Sequence, residues 1–417
     1  MKRLFFILCL LFFPVNVFAA LTVGYTSATD TMLIKGATSG SPATWAQVWD
    51  YDTAAGGETN GAGETDGPDS VELNTLMTET VAGRIYIIDC LVDIGESGTA
   101  TYFASENEHT YFTADNYFEV QVDAVARFGV KDTATSANDG CSIFFEDTDN
   151  SNTAVNHVGT LYLYATNYVS YGSSNGYSGD DHHFLGTHEF IQAGFGNLNR
   201  IDFGGTMNII HNAFVWNCWN GFISTATTTA TGLTRIISGP AVSYGMQCYN
   251  STVTIKDSTI DDGADTDICL LNNITDTTFN MVDCILPSPI VVIIGYDNHD
   301  GFLNEQYTVN IHVVDKDGAN IATASVTCND QFGTSVFDVN TDANGDIAEQ
   351  TVTYKHWETT AETLTTYSPH TFVISKAGLR TQTVIYNFSD GKIDWEIELD
   401  DGDTVIYDSV LYDMTVY

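Results

Sequence analysis

The sequence predicts an all-β chain: a right-handed parallel β-helix with an N-terminal capping helix, followed by a small β-sandwich domain. Three observations predict it. First, one phrase recurs as Leu161–Val169, Asn208–Val215, Val253–Ile260 and Phe279–Leu286. Each copy has alternating apolar residues, then Asn or Asp, a small residue or one spacer, then apolar residues again. The polar positions are Asn167, Asn212, Asp257 and Asp283. Their intervals read as two, two and one turns of about 23 residues, a solenoid period. Second, residues 71–300 are short alternating strands separated by Gly, Asn, Asp, Ser and Thr, with no βα alternation. Third, residues 301–400 change character, to about seven short strands with turns every 8–12 residues, the spacing of a sandwich.

In chain order, residues 1–20 read as a signal peptide. Lys2 and Arg3 precede the apolar run Leu4–Phe13, and cleavage falls near Ala19. The run is too short to span a bilayer. The expectation is a secreted or cell-surface protein with no membrane span. Residues 21–70 form a cap and loop. Within them, 41–56 predict a helix, with Ser41 as cap, Pro42 in the first turn, and Trp45, Val48 and Trp49 on one face. Such a helix covers the open β-edge of a first coil. In 71–300 the recurring Asn and Asp fall at turns, where stacked side chains can form a polar ladder.

Charge and cysteine content narrow the function. The whole chain carries a formal charge of −40. Without Lys2 and Arg3, 12 basic residues face 54 acidic ones. That excludes nucleic acid as a partner and disfavours anionic polymers held by charge. Seven cysteines follow the signal segment, an odd number spread too widely for a disulfide scaffold. Most read as small buried hydrophobes.

The repeat phrase and its period resemble right-handed β-helix proteins of the pectin-lyase-like class. The stretches 315–326 (DKDGANIATASV) and 368–383 (SPHTFVISKAGLRTQT) resemble the carboxypeptidase-regulatory-like, transthyretin-like sandwich. In that family such domains are accessory modules rather than catalytic ones. Residues 401–417 form a C-terminal β tail with Tyr407, Tyr412 and Tyr417, an edge suited to self-association.

The densest polar constellation is Gly179-Asp180-Asp181-His182-His183, followed by His188-Glu189. His211 follows His188 by one repeat period, which places the two at one position of adjacent coils. Asp180 and Asp181, with His188 and His211, are the candidate catalytic residues, since paired carboxylates can serve as acid and base on a glycosidic bond. The Gly-Asp-Asp triplet resembles that of β-helix polygalacturonases. The Gly-His-Gly and Arg-x-Lys elements of that family are missing here. Asp147, Asp149, Asp181, His182 and His183 are the candidate metal ligands, with calcium the cation the oxygen-rich 147–152 and 342–346 segments would take. Neither segment completes an EF-hand, and 342–346 reads as a hairpin turn. Trp216 and Trp219, three apart beside a repeat phrase, are the candidate ligand-binding residues, because indole faces stack on sugars.

These readings favour an exported, non-catalytic protein that binds a polysaccharide or cell-surface glycan, as in adhesion. The alternatives are a polysaccharide hydrolase or lyase of the pectin-lyase-like class, and a viral fibre or tailspike-like protein.

Overall fold

The computed structural model is all-β, with parallel and mixed sheets. It describes residues 21–401 except 27, 55–75, 82–83, 132–140, 149–152, 172–180, 199, 205, 212–213, 217–219, 225–227, 233, 237–243, 250, 261–265, 272–275, 286–291, 295–300 and 359–362. The expected signal peptide, the 57–70 loop and the tail from 402 lie outside the described residues. The chain divides into two compact units, 1–149 with 155–167, and 150–154 with 168–417.

In the first unit Thr22–Thr26 and Met77–Val81 pair antiparallel with the strands that follow them, Thr31–Lys35 and Ile85–Ile88. From Ile85 on the pairing is mainly parallel, with the third strand along the chain. Ile85–Ile88 pairs with His109–Phe112, which pairs with Ser142–Glu146. Leu91–Ile94 pairs with Phe118–Val120, and Thr101–Ser105 with Ala124–Phe128 and then Thr160–Tyr164. Alternation sends one set of side chains inward. Phe103, Phe112, Phe118, Phe128 and Phe145 are fully buried. They form a continuous aromatic stack, with Phe112 and Phe145 at 5.5 Å between centroids.

The helix Trp45–Ala54 closes this stack. Trp45 meets Phe103 edge-on at 4.6 Å and Phe112 at 6.4 Å. The N-cap is Thr44, whose Oγ1 accepts from the Gln47 N–H at 3.2 Å; the expected cap, Ser41, sits in a bridge to Thr38. The reason is the neighbouring strand. Ala43 donates to the Tyr102 carbonyl and accepts from the Ala104 N–H, both at 2.8 Å, so chain before the helix is held extended along the edge. The edge of Thr101–Ser105 is thereby covered.

The second unit repeats the three-strand pairing. One sheet runs Thr187–Ile191, Thr206–His211, Thr228–Thr231, Thr252–Lys256, Thr277–Val282 and Gly301–Asp315. A second runs from Asp181–Phe184 through Arg200–Asp202 to Val292–Ile294. A third includes Gly194–Gly196, Phe214–Trp216, Thr234–Ile236 and Thr259–Ile260. The pairing offset is not constant. Thr187 faces Thr206, whereas Thr228 faces Val253 and Phe279 faces Leu303, so the first of these coils is several residues shorter than the later two.

The repeated phrase is a backbone corner. After the strands of one sheet, a single residue adopts the left-handed conformation: Gly129 and Ala165 in the first unit, Gln192, Gly232, Asp257 and Asp283 in the second, with φ between 47° and 82°. Gly, Asn and Asp enter that region at least cost, which is why the sequence writes them there. Asp257 and Asp283 are such corners. Asn167 is not: the corner falls two residues earlier, at Ala165, and Asn167 begins the strand Asn167–Tyr171. Asn212 lies outside the described residues.

A polar ladder exists, but in the strands rather than at the turns. Asn280 Nδ2 donates to Thr254 Oγ1 at 3.3 Å, and Asn304 Nδ2 donates to Asn280 Oδ1 at 2.8 Å. The corner at Asp283 instead accepts from the next coil, with Oδ1 on the Thr308 N–H at 2.9 Å and Oδ2 on the Thr308 hydroxyl at 2.6 Å.

The strand Gly301–Asp315 begins at the expected 300/301 boundary and pairs with strands on both sides of it in the sequence. Its first six residues pair in parallel with Thr277–Val282, while Gln350–Glu358 lies antiparallel on its other edge over Phe302–Val309. The remainder, Val309–Asp315, pairs in parallel with Ile393–Leu399. A second sheet, in the order Ser335–Asn340, Ser325–Asn329, His370–Ser375, Gln382–Tyr386, is antiparallel throughout. The two sheets enclose one apolar core that includes Val309, Ile311, Val326, Phe372, Ile374 and Phe388. Cys90, Cys141, Cys284 and Cys328 are free thiols. Burial pushes those of Cys90 and Cys328 up to about 12, as for inert packing residues.

Candidate functional site

Among the described residues of this set, His182, His183 and His188 do not share one site. Asp180 lies outside the described residues, and Asp181 opens the strand Asp181–Phe184. Successive residues of a strand face opposite ways. His182 is buried, with Nδ1 2.8 Å from the Tyr168 hydroxyl. His183 points to the other face, where Nδ1 lies 3.1 Å from Asp202 Oδ2 on the neighbouring strand. Two histidines on opposite faces cannot share one ion.

His188 is fully buried. Its Nε2 accepts from the Gly186 N–H at 2.9 Å, and its ring stacks on Phe190 at 5.8 Å. Its strand partner is Met207, and His211 faces Ile191 instead. The expected His188–His211 juxtaposition therefore fails by three residues, about 10 Å along a strand. The cause is the local coil, which is shorter than the period read from the repeat phrase.

Of the metal candidates, Asp147 is buried and Asp149 lies outside the described residues. Among the described residues, no three His, Cys, Asp or Glu side chains gather as a metal centre. The segment 342–346 is a turn: Asp342 Oδ1 accepts from the Asn344 and Asp346 N–H groups at 2.7 and 3.1 Å. Trp216 ends the strand Phe214–Trp216, opposite Gly196 and Ile236, and Trp219 lies outside the described residues.

The second unit holds a cavity of about 220 Å³ lined by Asn304, Asp330, Val336, Thr351, Thr353, His356, Tyr367 and His370. The ladder reaches it. Asn304, third member after Thr254 and Asn280, turns its Oδ1 to His356 Nδ1 at 2.6 Å. A carbonyl oxygen only accepts, so Nδ1 carries the proton and His356 Nε2 is left as an acceptor. His370 is fully buried, and its Nε2 has no hydrogen-bond partner among the described residues. Its Nδ1 lies 3.3 Å from Ser368 Oγ, which accepts from the Phe388 N–H at 3.1 Å. That hydroxyl can donate to Nδ1 or accept from it, so the Nε2 of a neutral His370 is a donor in one tautomer and an acceptor in the other. Burial holds the His370 imidazole down at about 4, against a smaller upward pull from Asp330. Asp330 Oδ1 accepts from the Phe332 and Thr334 N–H groups, at 2.9 and 2.8 Å. The cavity thus presents two imidazoles, a carboxylate and two threonine hydroxyls.

Sequence reasoning missed this set. The available signal was the near-regular spacing of Thr254, Asn280 and Asn304. Nothing local marks Asp330, His356 or His370, which only the sandwich brings together.

The buried histidines predict acid sensitivity. Burial lowers His182 to about 3 and His370 to about 4 from 6.5. Unfolded chain therefore binds more protons below 6.5, and the stability these groups contribute is full above 6.5 and lost as pH falls towards 4 and 3. Asp93, Glu108 and Glu119, raised mainly by burial, act with the opposite sign. The expected result is a thermal midpoint that, relative to His370→Gln, declines between pH 6.5 and 4. Parallel curves for the two proteins would refute it.

No family model and no curated protein matches the chain. Among solved structures, the Bacillus anthracis TIE protein aligns at 19% identity and a TM-score of 0.17, over 27% of this chain and 18% of that one. This chain thus spans under a fifth of that protein, and the likeness carries no argument about fold or function.

Proposed function

We propose that the chain is an exported, non-catalytic β-helix protein of pectin-lyase-like shape, with an accessory carboxypeptidase-regulatory-like sandwich. It binds a polysaccharide or cell-surface glycan outside the cell. The observation that supports this over hydrolysis or lysis is the burial of His188 and the strand register that does not pair it with His211. His188 is buried against Phe190, and His211 faces Ile191. A general acid and base must both reach one bond.

The test is incubation of the purified chain with neutral and uronate polysaccharides, with and without calcium. Retention of a polysaccharide with no new reducing ends or unsaturated products is the expected result. Product release that disappears in Asp181→Asn would overturn the reading in favour of an enzyme.

A further inference from the structure

We propose that the cavity bounded by Asn304, Asp330, Val336, Thr353, Tyr367 and His370 is a binding site for one uncharged sugar residue. This rests on the glycan-binding reading and assigns it a place, away from the 180–219 segment where the sequence points.

Size comes first. Pockets for drug-sized ligands hold about 300–1,000 Å³. At about 220 Å³ this one admits a single ring rather than an oligomer. Polarity comes next. A sugar hydroxyl both donates and accepts, so its site needs both kinds of group in one small space. His356 Nε2 accepts, and the buried His370 Nε2, without a partner among the described residues, donates or accepts according to its tautomer. Thr353 Oγ1 already accepts from Gln306 Nε2 at 3.1 Å, which leaves its own proton to give. Asp330 spends Oδ1 on two backbone N–H groups, which leaves Oδ2 for a ligand hydroxyl. Leaving a buried polar atom such as His370 Nε2 unmet is costly, and a ligand hydroxyl, which can donate or accept, removes that cost.

The charge of the ligand follows from the lining. It contains a carboxylate and no lysine or arginine. An anion would face Asp330 without a counter-charge, so uronates are disfavoured. The apolar face of a pyranose has a counterpart at the edge. Tyr367 packs perpendicular to Phe332 at 6.0 Å, and Phe332 is 64% exposed. An exposed ring beside a polar cavity is the usual arrangement for stacking a sugar.

The experiment uses the full chain with galactose, glucose, N-acetylglucosamine, glucuronate and galacturonate, read by ligand-observed saturation-transfer NMR and titration. Val336 is 37% exposed and lines the cavity without a polar role, so Val336→Trp fills the space with little demand on the core. Asp330→Asn keeps the oxygen that holds the turn and removes the charge. The expected result is millimolar binding of at least one neutral sugar, abolished by Val336→Trp and weakened at least tenfold by Asp330→Asn. Binding unchanged in Val336→Trp, or no neutral sugar bound, overturns the cavity assignment; uronates bound as tightly as hexoses overturn its selectivity. A polysaccharide still retained by Val336→Trp as by wild type also overturns the assignment but leaves the glycan-binding function standing. Loss of all polysaccharide retention in the wild type overturns both.

Discussion

Gly129→Ala is expected to destabilise the first unit by about 4 kcal/mol or more, the range reached only by changes with a definite steric cause. Gly129 has φ +82°, and a Cβ there would lie 1.9 Å from the Tyr164 carbonyl oxygen. That oxygen belongs to the next coil's backbone and also accepts from Thr166 Oγ1 at 2.9 Å, so it cannot withdraw without breaking the corner. Two costs add: left-handed backbone for a residue with a side chain, about 1–2 kcal/mol, and displacement of a paired strand. Chemical denaturation followed by circular dichroism measures it. Gly318→Ala is the control, since Gly318 shares a positive φ of 77° but a Cβ there meets nothing within 4 Å. Equal losses in the two variants would show that backbone conformation alone, and not coil stacking, sets the cost.

Trp45→Ala is expected to cost about 3–5 kcal/mol, the range for truncating a buried aromatic residue. For a unit of this size each kcal/mol moves the thermal midpoint by about 2–4 °C. Trp45 is fully buried against Phe103 and Phe112. Its loss opens the end of the aromatic stack and loosens Ala43 from the edge of Thr101–Ser105. An uncovered parallel edge pairs with other chains. Light scattering during heating therefore rises earlier in Trp45→Ala. Trp45→Phe is expected to restore most of the stability, because the Trp45 Nε1–H has no hydrogen-bond partner to lose. A Trp45→Ala protein with the wild-type midpoint and no added scattering would refute the capping role.

Where the sequence was legible, a short-range rule was at work. Alternation over four to six residues marks strands such as Ile85–Ile88 and Thr252–Lys256 because each side chain's face depends only on its neighbours. The corner phrase was visible because a left-handed residue selects Gly, Asn or Asp through its own φ. It failed at Asn167 because Ala165 takes that conformation at the cost of its Cβ, and alanine carries no mark of it. The expected helix was found, but its cap was misplaced from Thr44 to Ser41, because the edge of Thr101–Ser105 holds residue 43 extended.

By itself, the sequence determined the all-β class, the alternating strands, the left-handed corners at Asp257 and Asp283 and the helix around Trp45. Each rests on contacts within a few residues. Which side chains meet across coils was decided by tertiary structure. The register between neighbouring strands depends on the full length of each coil, and that length is shorter at Thr187–Thr206 than at Thr252–Thr278. A few residues gained or lost in a turn separate His188 from His211. The same sensitivity lets Asn304, Asp330, His356 and His370, well separated in the chain, line one cavity.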